Sequence, residues 1–231
     1  MKQNEARFCV FCGNAPRDNN PEHVLPTWLL KLTGDPKRTV SLGWDYQQNM
    51  ARKFAFSSFV FPACKVCNEE YSKLETAAGR ILTKLCNDSA INVMDADIIL
   101  DWFDKVRIGL WLGFHILDRN IFGIDPMFHI ENRVARKDRM LFVTHFIDQK
   151  KKLTFLGTDS AVFRFMPSCF GLLVNGTLFV NASFDFMIAA RAGFPYPKEA
   201  SVDADTMLLS ANCWDIANKV KIPVIRFPFL P

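Results

Sequence analysis

The sequence predicts an α+β fold in two portions: a small N-terminal module held by a metal, then a region with one long helix and a mainly antiparallel sheet. Three observations carry this expectation. Two C-x-x-C hooks, "CVFCG" at 9–13 and "ACKVCNEE" at 63–70, bracket the first portion. Apolar residues recur at helical spacing through 95–118. A series of short β-rich runs follows, and Asn175-Gly176 between two of them is a strong hairpin signal. The expected division is 1–90 and 91–231, joined near 88–96.

A chain of 231 residues can bury a real core. With 49% hydrophobic residues and 22 Phe it folds around apolar surface, which excludes a disordered chain. The start, "MKQNEARFCVFCG", has no apolar h-region, so no secretory signal is expected. The longest apolar stretch, "IGLWLGFHIL" (108–117), is about half a bilayer span and follows Arg107; it reads as a buried helix, with no membrane partner. These features predict a cytoplasmic protein. In that compartment paired cysteines are metal ligands more often than disulfides.

The hooks come next. A two-residue gap lets both thiolates of a tight turn face one point, and two such turns complete a tetrahedral Zn²⁺ site. Cys9, Cys12, Cys64 and Cys67 are therefore the expected structural zinc ligands. Gly13, directly after Cys12, suits a knuckle that needs positive φ. A redox C-x-x-C is the weaker alternative, because neither hook lies at the strand-to-helix junction of a thioredoxin-like unit. Cys86, Cys169 and Cys213 are isolated and read as core residues.

The 51 residues between the hooks carry "EHVLP" at 22–26. Cys9-x-x-Cys12, Glu22-His23-Val24-x-Pro26 and Cys64-x-x-Cys67-Asn68, in that order, resemble the HNH (ββα-metal) endonuclease family, in the variant with four zinc cysteines. The resemblance covers roughly residues 7–85. It implies a treble-clef-like ββα-metal module, with Glu22 and Asn68 holding a catalytic Mg²⁺ or Mn²⁺ and His23 activating water. It also implies DNA as substrate and 5′-phosphate products. The chemistry of the residues is compatible: imidazole titrates near neutral pH, and carboxylate oxygen suits a hard divalent ion. Alternation along a strand sends adjacent side chains to opposite faces, so Glu22 and His23 serve one centre only if the strand twists or bulges there. The sequence departs from the family in two places. Ser58 and Phe59 stand where a bracing Asn is common, and the closing position is Asn68, not His.

A helix is expected over "NEEYSKLETAAGRILTKL" (68–85), with Leu74, Ala78, Ile81 and Leu85 as its buried stripe. Asn68 lies off that stripe. Glu75 shares its face but sits roughly 10 Å up the axis, which makes it a supporting or salt-bridging residue. The stretch from Leu29 to Val60 reads as a long loop with a turn at "GDPKR" (34–38). Further on, the long helix carries Ile99, Phe103, Val106, Leu110, Phe114 and Leu117, and Gly109 with Gly113 allows a close neighbour. "MLFVTHFI" (140–147), "KLTFLG" (152–157), "AVFRFM" (161–166), "FGLLVN" (170–175) and "TLFVNA" (177–182) read as strands. "SFDFMIAARAGF" (183–194) reads as a helix, and "PVIRFPFLP" as an edge strand or extended tail.

Net charge is a mild +4, which permits nucleic acid without demanding it. The basic clusters matter more. Lys37 and Arg38, Arg52 and Lys53, and Arg136, Lys137 and Arg139 are the candidate phosphate contacts, with "KKK" (150–152) a further cluster. The plainer reading of each is a solvated loop. His115, His129 and His145 have no clustered ligand partner.

The expected function is thus a metal-dependent HNH endonuclease hydrolysing phosphodiester bonds of DNA, akin to phage-defence or mobile-element nucleases by analogy. Two alternatives stand beside it: a non-catalytic zinc-stabilised nucleic-acid-binding module, and an RNA-cleaving effector. The C-terminal region would select substrate, sense a trigger, form a homodimer or engage a partner protein of a defence system.

Overall fold

A computed structural model describes residues 8–18, 20–45, 48–55, 60–117, 128–135, 139–146, 152–158 and 160–183. The expected helix at 183–194 beyond Ser183, the closing extended segment, and positions Ser58, Phe59, Arg136, Lys137 and Cys213 lie outside them.

The N-terminal portion contains β1 (Glu22–His23), α1 (Thr27–Leu32), β2 (Thr39–Asp45), β3 (Met50–Ala55), β4 (Val60–Phe61) and α2 (Lys65–Cys86). The stretch between Leu29 and Val60 is therefore not a bare loop. Pro26 precedes α1, where its fixed φ and missing N–H suit a helix start. The helix then buries Leu29 and Leu30. Arg38 closes its end, donating to Thr33 Oγ1 at 2.6 Å. β2 and β3 form an antiparallel hairpin with an irregular register between Ser41 and Trp44, and Asn49 takes positive φ in its turn. This hairpin was hidden because its register breaks midway, which interrupts the period-2 pattern.

α2 begins three residues earlier than the sequence indicated and buries Ala78, Ile81, Leu82 and Leu85, as the apolar stripe requires. Gly79 lies beneath Trp28 of α1: a Cβ there would come 3.2 Å from the indole. Trp28 also tilts against Trp102 with ring centroids 5.5 Å apart, joining α1 to the next helix.

That helix is α3 (Val93–Leu117), the long element expected. It is buried on nearly every side because it lies between two layers. On one side stand α2 and β1. On the other is a four-stranded antiparallel sheet of β5 (Arg139–His145), β6 (Leu153–Leu156), β7 (Cys169–Val174) and β8 (Thr177–Ser183), in the order β5-β8-β7-β6. Phe103 of α3 meets Phe170 and Phe179 of that sheet. β7 and β8 join at Asn175 and Gly176, both at positive φ, the backbone that a two-residue type I′ turn needs. Asn175 reaches back to donate to Leu32 O at 3.0 Å, so the sheet touches the end of α1. One hydrophobic cluster runs from Cys9 to Phe179 and includes side chains of both portions.

Two short helices complete the described chain: α4 (Ile130–Arg133) and α5 (Ala161–Phe165). α5 corrects the strand expected over 161–166. Ser160 accepts from Phe163 N at 3.2 Å and so caps a first turn, and Trp111 Nε1 donates to Arg164 O at 2.9 Å. A local N-cap outweighs the β propensity of five residues. Among the described residues no helix is long and apolar enough to cross a membrane.

Candidate functional site

The four hook cysteines converge. One ligand atom from each of Cys9, Cys12, Cys64 and Cys67 lies within 4.8 Å of all the others. Tetrahedral Zn²⁺ with Zn–S of about 2.3 Å brings sulfurs to about 3.8 Å, so a small inward closure completes the site. Among the described residues no other group of three or more His, Cys, Asp or Glu ligand atoms converges this closely.

Local backbone explains the convergence. In the first hook Gly13 N donates to Cys9 O and Cys9 N to Asn14 O, both at 2.8 Å, with Gly13 at φ 77°. The His129 ring fills the space over Gly13, where any Cβ would clash at 2.4 Å. Ile130 N and Glu131 N donate to Val10 O and Phe11 O, docking α4 on this knuckle. Cys64 is the N-cap residue of α2 and Cys67 sits in its first turn, where the helix N-terminus favours negative charge. Cys64 N donates to Cys9 Sγ at 3.3 Å and Arg17 N to Cys64 Sγ at 3.4 Å.

The thiols report the crowding. Burial pushes the Cys9 thiol up. Burial, then the negative neighbours Cys9 and Cys12, push Cys67 far up. Burial opposes ionisation of Cys12, but hydrogen bonds from Asn14 N–H and the neighbouring thiols bring it below its ordinary value. Four thiolates within 4.8 Å would repel one another without a cation between them, and a soft-tolerant divalent ion is the group that fits. The four cysteines form a site suited to a structural metal such as zinc.

The Glu-His pair lies on β1, which pairs antiparallel with β4 through Glu22↔Phe61 and His23↔Val60. Strand alternation operates as expected: Glu22 is buried and His23 is exposed. The Glu22 carboxylate accepts from Lys105 Nζ, and the same ammonium donates to Glu75. Lys105 comes from α3 and is 1% exposed. Burial pushes the Glu22 carboxyl up to about 7, with Lys105 opposing the shift and Glu75 adding to it. Asn68 Nδ2 donates to Asn20 O and Pro21 O, both at 3.2 Å, and so braces the segment that enters β1.

The structure thus brings Glu22 together with Glu75 and Lys105, and sets the Asn68 amide on backbone carbonyls. The divalent ion implied at Glu22 and Asn68 does not fit the side chains as they stand. Glu22 points inward, where a carboxylate needs a counter-charge, and Lys105 supplies it.

The candidate phosphate contacts divide. Lys37 and Lys53 are exposed. Arg52 is in β3, its side chain not described. Arg38 is committed to the end of α1. Arg139 is a correction: it is buried and paired with Asp97, Asp101 and Asp104, so it cannot meet a nucleic acid. Asp104 also pairs with the fully buried Arg107 at 2.9 Å. His115 packs edge-on against Trp111, and His145 lies between Thr177 Oγ1 at 3.2 Å and Asp88 at 3.3 Å.

Lys105 and the exposed Arg17 escaped sequence reasoning. Arg17 O accepts from Lys65 N at 3.3 Å, so two basic residues stand side by side next to the Asn68 brace. The signal for Lys105 was present in "DWFDKVRIGL", where ionic residues interrupt a helix otherwise apolar all round and so require internal partners. Compared with protein-family models, curated proteins and solved structures, the chain matches none. What fold and site define is a class: an α+β protein with antiparallel sheets and, in its N-terminal portion, a four-cysteine cluster that could hold a structural metal.

Proposed function

We propose that the chain is a zinc-stabilised endonuclease of the HNH type that hydrolyses phosphodiester bonds of DNA, with His23 as the base. One observation carries the reading: an exposed imidazole on a two-residue strand whose surroundings are held by the cysteine cluster and by the Asn68 brace. His23 takes a proton from water as the water oxygen bonds to phosphorus. The bond to the 3′ oxygen then breaks, and that oxygen leaves with the electron pair and takes a proton from solvent, giving a 3′-hydroxyl and a 5′-phosphate. Arg17 and Lys65 supply positive charge beside the brace, and Lys37 and Lys53 add exposed charge elsewhere on this portion. Zinc acts as structural support on the four cysteines. By analogy with free-standing nucleases of this type the setting is phage defence or a mobile element, with the C-terminal region selecting substrate, answering a trigger or pairing two copies.

A specific observation favours a second reading. The Glu22 carboxylate is already engaged by Lys105, which suits a zinc-stabilised module that binds nucleic acid without cutting it. Nicking of supercoiled plasmid with Mg²⁺ or Mn²⁺, with and without EDTA, separates the two. The nuclease reading expects cutting that His23→Ala abolishes. Binding without cutting by either protein supports the binder, and cutting that survives His23→Ala removes the base assignment. Labelled RNA in parallel decides between sugars.

A further inference from the structure

Lys105 Nζ donates to both Glu22 and Glu75, so one ammonium serves two carboxylates from two different elements. Its residue is 1% exposed and sits on α3 between fully buried Asp104 and Val106. Parting from the carboxylates would leave a buried ammonium without its paired charges, which a low-dielectric interior strongly disfavours. The acid that the resemblance assigns to a divalent ion is therefore occupied by a cation of the chain itself.

The same face of α3 makes a second contact. Gly109, four residues after Lys105 and so on the same side of the helix, lies against Val24, where a Cβ would come 3.1 Å from Val24 Cγ1. Glu22 and Val24 are the alternate inward residues of the strand region, about 6.6 Å apart along an extended chain. Lys105 and Gly109 are about 6 Å apart along the helix axis. The two spacings match, so α3 grips the chain on both sides of His23 and leaves that side chain on the opposite face.

We infer that Lys105 is the resident cation of the Glu22–Glu75 pair, standing where a divalent ion would, and that it positions the strand bearing His23. The positioning role rests on the nuclease reading; the cation role does not.

Thermal melting of the zinc-loaded full chain, with and without ~1 mM Mn²⁺ at matched ionic strength, tests this. Mn²⁺ prefers oxygen ligands and leaves thiolate-bound zinc in place. Wild type and Lys105→Arg should show no Mn²⁺-dependent shift. Lys105→Met strands the buried Glu22 carboxylate and the half-buried Glu75 and should melt about 10 °C lower. Mn²⁺ should restore at least half of that loss, and Glu22→Gln/Lys105→Met should show neither the loss nor the rescue. A rise in wild type that Glu22→Gln abolishes would overturn the inference while leaving the nuclease reading intact. So would a Lys105→Met protein that melts like wild type. If Lys105→Met does not fold, the double variant decides: its folding supports the cation role, and its failure shows that the lysine is needed for packing alone. His23-dependent nicking is scored separately, so either idea can fail without the other.

Discussion

Gly109 of α3 and Val24 of the β1 region are in contact so close that a single added methyl group would come 3.1 Å from Val24 Cγ1. Val24 is itself buried, and Ile130 Cδ1 lies 3.8 Å from the same added carbon. Gly109→Val should therefore overpack this junction and destabilise the protein by about 2 kcal/mol. For a chain of this size that lowers Tm by roughly 5 °C. An unchanged Tm would mean that α3 and the β1 region do not pack together at this glycine.

Cys64 joins the two hooks. It is the N-cap residue of α2, its N–H reaches Cys9 Sγ and its sulfur accepts from Arg17 N–H. Cys64→Ser should lose bound zinc and unfold the N-terminal portion, because structural zinc contributes directly to folding. Metal analysis with circular dichroism reads both. Full zinc content with an unaltered melt would contradict the four-thiol site.

Arg139 and Lys53 were grouped by sequence as phosphate contacts, and burial separates them. Arg139→Ala would leave Asp101 without its counter-ion and Asp104 with Arg107 alone, and should cost about 3–5 kcal/mol of stability. Lys53→Ala, at an exposed position, should leave stability within about 0.5 kcal/mol. If it touches a phosphate, it reduces the salt slope of binding by about one. Denaturant melts and a salt-dependent binding series check the pair. The reverse pattern would return Arg139 to the surface.

Glu22 makes stability depend on pH with a definite sign. Burial, with Glu75 adding and Lys105 opposing, pushes its folded carboxyl up to about 7 from an ordinary 4.5. Between those values the folded protein holds a proton that the unfolded chain lacks. The Glu22 contribution is thus fully present below about 4.5 and is lost as pH rises through about 7. Zinc thiolates push the other way, so the useful quantity is wild type against Glu22→Gln with zinc saturating. Wild type should lose stability relative to the variant from pH 5 to 7, by a few kcal/mol at most (~3 kcal/mol). Parallel curves would show that Glu22 keeps an ordinary pKa.

The parts that sequence made legible share one property: their determinants are neighbours in the chain. A C-x-x-C gap aims two thiols, a glycine at 13 permits one φ, a 3–4 stripe orients α2, and Asn-Gly turns β7 into β8. Each works within a few residues. Where the register broke, as at Ser41 and Trp44, or where one serine capped a short turn, as at Ser160, pattern reading failed. The same limit applies to charge. Arg139 and Lys53 look alike in one dimension, and nothing beside either residue tells which one is buried.

From sequence alone came the four convergent thiols, the opposite facing of Glu22 and His23 on one strand, and the two long helices. Only tertiary structure decided what the acid touches. Glu22, Glu75 and Lys105 lie far apart along the chain, and a buried charge takes whichever partner packing delivers. Here α3 delivered an ammonium, because a helix buried on both faces has to pair its ionic residues inside the core.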